Sequence, residues 1–176
     1  LHVPLYLISK LVPKSDKIWL FGAWFGYKYA DNSKYFYEYI NMYHKDIKAI
    51  WISNDRVIVE KLRENNFIAY YKYSFQSYYY SSRSAISFIS CGFEDVLNYI
   101  PTKTIVHFWH AISFKKILYD DKINNIDSKN HILKRKIKHL LFPFQRNLED
   151  ISYLTASSLM EAHNLSTAFR INIKNI

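Results

Sequence analysis

The feature that most constrains this chain is a regular alternation between two kinds of apolar segment. Six short, mostly apolar runs read as strands: IWLFGAW (18–24), IKAIWIS (47–53), FIAYY (67–71), AISFIS (85–90), TIVHFW (104–109) and YLTAS (153–157). Segments of helical period lie between or after them: DNSKYFYEYINMY (31–43), DRVIVEKLREN (55–65), a Tyr/Ser-rich stretch near 75–83, and SLMEAHNLSTAF (158–169). Asp31, Asn32 or Ser33 is suited to cap the first of these helices, along which Phe36, Ile40 and Tyr43 recur at helical spacing. Val57, Ile58 and Leu62 form the inward set of the second. Strands apolar on both faces, alternating with helices, predict an α/β fold: a Rossmann-like, mostly parallel sheet covered on both sides. Sheets of that kind bind ligands beyond the carboxyl ends of their strands.

The 176 residues suit one domain with a real core, and 49% hydrophobic with 18% aromatic residues excludes disorder. A net charge of +9 favours anionic partners: phosphorylated metabolites, acidic lipid surfaces or nucleic acid. Cys91 is the single cysteine, so an internal disulfide and CxxC-type zinc sites are excluded, which fits a reducing cytoplasm. No run reaches the ~18 apolar residues of a spanning helix, and LHVPLYLISKLVPK lacks a cleavage site for a secretory signal. The sequence starts at Leu1 rather than Met, so a piece of a longer protein is expected.

One segment, NIDSKNHILKRKIKHLLFPF (125–144), interleaves Lys129, Lys134, Arg135, Lys136 and Lys138 with apolar residues, and Pro143 ends the pattern. It reads as a basic amphipathic helix that lies on an anionic membrane, or as a surface helix with a solvated basic face. The tyrosines of YYKYSFQSYYY (70–80) have the look of a base-stacking platform. A buried aromatic helix is the simpler reading, and no nucleic-acid module is present.

HFWHAISFKK (107–116) places two histidines and two lysines where a strand stops. Residues three apart on a strand point to opposite faces, so His107 and His110 do not share a metal. His107 is expected to be a partly buried structural residue. His110 lies at the strand's end, where an imidazole of ordinary pKa ~6.5 can take up a proton beside the phosphate-neutralising Lys115 and Lys116.

Three segments in order give the chain a resemblance to the CDP-glycerol glycerophosphotransferases, which build glycerol-phosphate polymers such as teichoic acids and capsule polymers. ADNSKYFYEYI (30–40) is similar to the family's SDN-x-KY-x-x-EY element. AISFISCGFEDV (85–96) resembles its strand with Ser-x-Gly and an acidic residue. VHFWHAISFKKI (106–117) resembles its tryptophan–histidine–glycine motif with Pro-x-Lys-Lys, except that Ala111 stands for the glycine and Ser113 for the proline.

The resemblance implies the N-terminal, acceptor-side half of a two-domain GT-B protein, with residues 1–176 as one domain. It implies that His110 is the base that deprotonates the acceptor hydroxyl. Asp31, Asn32, Lys34, Lys115 and Lys116 would shape the cleft and contact phosphates, and Lys129, Lys134, Arg135, Lys136 and Lys138 would bind the membrane. No cofactor is implied beyond the donor substrate CDP-glycerol, whose site belongs to a second domain. The implied partners are a polyol-phosphate or lipid-linked acceptor and the anionic inner face of the cell membrane, with the protein peripheral on its cytoplasmic side. Two alternatives stand beside this: a ribitol-phosphate transferase, and a non-catalytic module that binds membrane or polyanion.

Overall fold

The computed structural model describes residues 2–109, 116–121, 137, 141–142 and 144–176. Its centre is a wholly parallel sheet of β1 (Ser15–Phe21), β2 (Lys48–Ser53), β3 (Ala69–Tyr71), β4 (Ser84–Ile89), β5 (Thr104–His107) and β6 (Tyr153–Leu154). The strands run in the order β3-β2-β1-β4-β5-β6. That order reverses direction at β1/β4, which opens a crevice at the carboxyl ends of those two strands. The helices with described bounds include α1 (His2–Leu11), α2 (Asp31–Tyr43), α3 (Arg56–Glu64), α4 (Phe75–Arg83) and α5 (Leu159–Phe169).

Alternate residues of each strand feed the two faces, as a period of two requires. Phe21, Ala49, Trp51 and Phe88 meet Tyr37 and Ile40 of α2 and Val59 and Leu62 of α3. Ile18, Leu20, Ile50, Ile52, Ile89 and Ile105 form the opposite face with Tyr80 of α4. At the far edge α5 packs Leu165, Ala168 and Phe169 onto Leu154.

Several expectations need correction. The first turn of α2 is capped by none of Asp31, Asn32 or Ser33: the N-cap is Ala30, whose side chain makes no cap bond. Asp31 is already helical and its φ is +61°, while Ser33 is drawn inward to Ser90. Within α2 it is Tyr37, not Tyr43, that enters the core, with its hydroxyl donating to the Ile68 carbonyl at 2.9 Å. In α3 Val57 is 55% exposed and Val59 takes the inward place, because the Asp55 cap fixes the helix phase. The tyrosine stretch is not a buried aromatic helix: α4 buries Ser77 and Ser81 and leaves Phe75 and Tyr79 outside. Small serines let that helix approach the sheet closely. Trp24 falls beyond β1 in a tight turn, and the last strand stops at Leu154. The α1 helix carries no expectation from the sequence.

Lys14, just before β1, donates to the carbonyls of Ser82 and Pro101 at 2.6 Å each. Burial and then the Arg146 charge lower its pKa to about 8. A lysine whose folded pKa lies below its unfolded value costs stability while it is charged, and the cost lifts as pH rises through the window between the two. Unfolding measurements should therefore show stability climbing from pH ~8 toward ~10. Above that the buried hydroxyls of Tyr29, Tyr37 and Tyr99, pushed up by burial, reverse the trend, since the unfolded chain releases their protons first. Lys14→Met should flatten the climb; an unchanged slope in that variant refutes the assignment.

Candidate functional site

The three sequence segments singled out above meet around the first turn of α2, at the carboxyl edge of the sheet. Ser33 Oγ lies 2.8 Å from Ser90 Oγ, joining α2 to the end of β4. Asn32 Nδ2 donates to the Trp109 carbonyl at 3.4 Å, joining α2 to the segment after β5. His110 is the next residue in the chain and, with Lys115, lies outside the described residues. Lys116 is described and exposed.

Asp31 and Lys34 take different positions. Asp31 is half-buried with a left-handed backbone, and its Oδ2 is buried without a hydrogen-bond partner among the described residues. Left-handed geometry at a non-glycine residue is uncommon and collects at functional sites. Lys34 points along the other side of α2, 4.0 Å from Glu38 and over the rings of Tyr29 and Tyr35. Lys129, Lys134, Arg135, Lys136 and Lys138 lie outside the described residues.

The crevice at β1/β4 is organised by a residue that spacing alone did not single out. Asp95 is fully buried, and its carboxylate accepts from the backbone N–H groups of Phe25 at 2.6 Å, Ser90 at 2.7 Å and Cys91 at 2.8 Å, with Gly92 at 3.5 Å. Burial raises its pKa and the four backbone donors oppose that rise. Its backbone passes so near β1 that a Cβ on Gly22 would lie 2.2 Å from the Asp95 carbonyl oxygen. Trp24, Phe25 and Gly26 all have positive φ, a costly run for two aromatics. The Asp95 bond to Phe25, the Ser53 hydroxyl on the Gly26 carbonyl and the Asn54 amide on the Phe25 carbonyl hold it in place. Lys72, buried behind this loop, donates to the Glu94 carbonyl, and burial lowers its pKa. Cys91 is half-buried; burial, then the charges of Asp95 and Asp31, push its thiol up.

Beside α2 an open cavity of about 660 Å³ lies at the carboxyl ends of β5 and β6. It is lined by Asn32, Tyr35, Phe36 and Tyr39 from α2, Phe108 and Trp109 after β5, and Thr155, Ala156, Ser157 and Glu161 after β6. Glu161 accepts from the Ser157 backbone N–H at 2.7 Å and its hydroxyl at 2.6 Å, while its own N–H donates to the Ser158 N-cap at 3.2 Å. His107, the last residue of β5, is buried near Trp109 and Phe169. Among the described residues no three His, Cys, Asp or Glu side chains are grouped to hold a metal. No helix among them is long and apolar enough to cross a membrane.

The comparisons with known proteins agree on one group. The family described as CDP-Glycerol:Poly(glycerophosphate) glycerophosphotransferase matches residues 5–176. A teichoic acid poly(glycerol phosphate) polymerase of Staphylococcus epidermidis is 27% identical over 110 residues, 59% of this chain but 14% of that protein. The wall teichoic acid polymerase TagF matches in structure with a TM-score of 0.70 and 16% identity, covering 99% of this chain and 41% of that one. A histidine variant of TagF soaked with CDPG gives 0.71 and 17%, with the same coverage. The chain thus spans well under half the length of the relatives it matches, and at these identities the structural likeness concerns the fold.

Proposed function

From the premise that the chain belongs to the CDP-glycerol:poly(glycerophosphate) glycerophosphotransferase family, we propose that it forms the acceptor-side domain of a transferase that extends cell-surface glycerol-phosphate polymers. Residues 1–176 make up one Rossmann-like half of a GT-B enzyme, and a second domain carries the CDP-glycerol site. The observation that supports this reading best is the convergence of α2, the end of β4 and the segment after β5 on one edge of the sheet. Ligands of such sheets bind there.

In this reading His110 takes the proton from the terminal hydroxyl of a polyol-phosphate acceptor. The hydroxyl oxygen attacks the β-phosphorus of CDP-glycerol, an O–P bond forms, and the bond from that phosphorus to the bridging oxygen breaks. CMP leaves with the electron pair. Lys115 and Lys116 offset phosphate charge, and Asp31, Asn32 and Lys34 shape the wall of the cleft. The Asn32 contact to the Trp109 carbonyl fixes the backbone directly before His110. The basic run of Lys129, Lys134, Arg135, Lys136 and Lys138 holds the protein peripherally on the anionic inner face of the membrane.

The test is CMP release by the full-length protein given an oligo(glycerol phosphate) acceptor and either CDP-glycerol or CDP-ribitol. Release that needs both acceptor and CDP-glycerol is the expected result. Preference for CDP-ribitol reassigns the donor, and no acceptor-dependent release with either donor overturns the transferase reading.

A further inference from the structure

The cavity beside α2 is chemically unlike a polyanion site. Among its described lining residues there is no lysine or arginine, and the one charged group is the Glu161 carboxylate, which repels phosphate. The described wall is instead made mostly of rings and hydroxyls. Tyr35 is 66% and Tyr39 48% exposed, although both stand at the mouth of a concave surface. Phe36 lies parallel to Tyr39, with centroids 6.2 Å apart, and edge-on to Phe108 at 5.6 Å, so the rings are set in fixed orientations. Trp109 is braced by Phe169 at 5.4 Å. Lys34 reaches one side of the Tyr35 ring, and it is paired with Glu38 rather than turned into the cavity. Around this ledge Asn32, Thr155, Ser157 and Glu161 supply hydrogen-bonding groups of the kind that meet neutral hydroxyls. An apolar floor with a few placed polar groups is the usual make-up of a small-ligand site.

We propose that Tyr35, Phe36, Tyr39 and Trp109 form a carbohydrate-stacking subsite that takes an uncharged pyranose ring, its C–H face on the aromatic ledge and its hydroxyls on the polar rim. Resting on the transferase reading, the ring is a sugar carried by the acceptor, and the phosphates are bound outside the ledge. The hydroxyl, amide and carboxylate groups of the rim suit a sugar better than a hydrocarbon tail. That no lysine or arginine is among the described lining residues favours it over a phosphate chain.

The test is saturation-transfer NMR on the full-length protein with methyl β-D-glucopyranoside, cytidine and glycerol 3-phosphate as separate probes. The pyranoside should receive saturation mainly on one ring face. Tyr35→Ala with Tyr39→Ala should weaken its binding about tenfold or more, whereas Tyr35→Phe with Tyr39→Phe should retain it, because the ring face is what the sugar meets. Both tyrosines are exposed, so the thermal midpoint reports whether the alanine variant is folded. Pyranoside binding that survives the alanine pair, or stronger engagement of cytidine or glycerol 3-phosphate by the ledge, overturns the proposal. The probe needs no transfer: a pyranoside signal without CMP release counts against the transferase reading and leaves the ledge standing.

Discussion

Replacing His110 by alanine in the full-length protein should cut glycerol-phosphate transfer by about 10²–10⁴-fold, the usual contribution of a positioned general base. The loss should appear in kcat, with the KM for CDP-glycerol little changed, because proton transfer develops only in the transition state. The wild-type rate should also fall on the acid side as the imidazole that serves as base becomes protonated. In the variant that limb should vanish along with the rate. A structural histidine makes different predictions: activity and thermal midpoint would fall together, and the acid limb would persist in whatever activity remains. The neighbour His107 supplies the control, since it is buried between Trp109 and Phe169 and its replacement should act on stability first. Transfer that survives His110→Ala within about threefold would remove the base from the scheme and favour a binding module.

The second large effect is expected at Asp95→Ala. Its carboxylate, itself fully buried, accepts from backbone N–H groups of both loops of the β1/β4 crevice. Hydrogen bonds to a charged acceptor contribute ~1.5–3 kcal/mol each, and buried donors left without a partner carry a further cost. The change should therefore destabilise the protein by ~3 kcal/mol or more. It should also free the Trp24–Gly26 turn, whose positive φ values persist only while neighbours hold them. Asp95→Asn keeps one acceptor oxygen and should lose less. Urea unfolding of the two variants checks this. A midpoint for Asp95→Ala within experimental error of wild type would show that the four bonds do not anchor the crevice.

The same residues mark where the sequence could be read and where it could not. The apolar runs became β1–β6 with ends shifted by a few residues, and the 31–43 period became α2 without change. That succeeds because strand and helix each impose a short repeat on burial, which any window of a dozen residues displays. The placing of His107 in the interior was legible for the same reason. Which tyrosine of α2 turns inward was not: Tyr37 displaced Tyr43 because the Ile68 carbonyl, 31 residues away, accepts its hydroxyl. Asp95 appeared in the sequence only as an acidic residue after Ser-x-Gly. Its role depends on Phe25, 70 positions earlier, arriving beside it. Tyr35 and Tyr39 read as two more aromatics on a helix until Phe108, Trp109 and the end of β6 made the opposite wall of a cavity.

By itself, then, the sequence determined the kinds of element, the parallel α/β class, the family segments and the surplus of positive charge. The tertiary structure alone decided the strand order β3-β2-β1-β4-β5-β6, the carboxylate that closes the crevice and the aromatic cleft beside α2. The physical reason is range. Periodicity records what each residue needs from its neighbours in the chain, whereas pairing and burial between distant segments are settled only when the whole core closes.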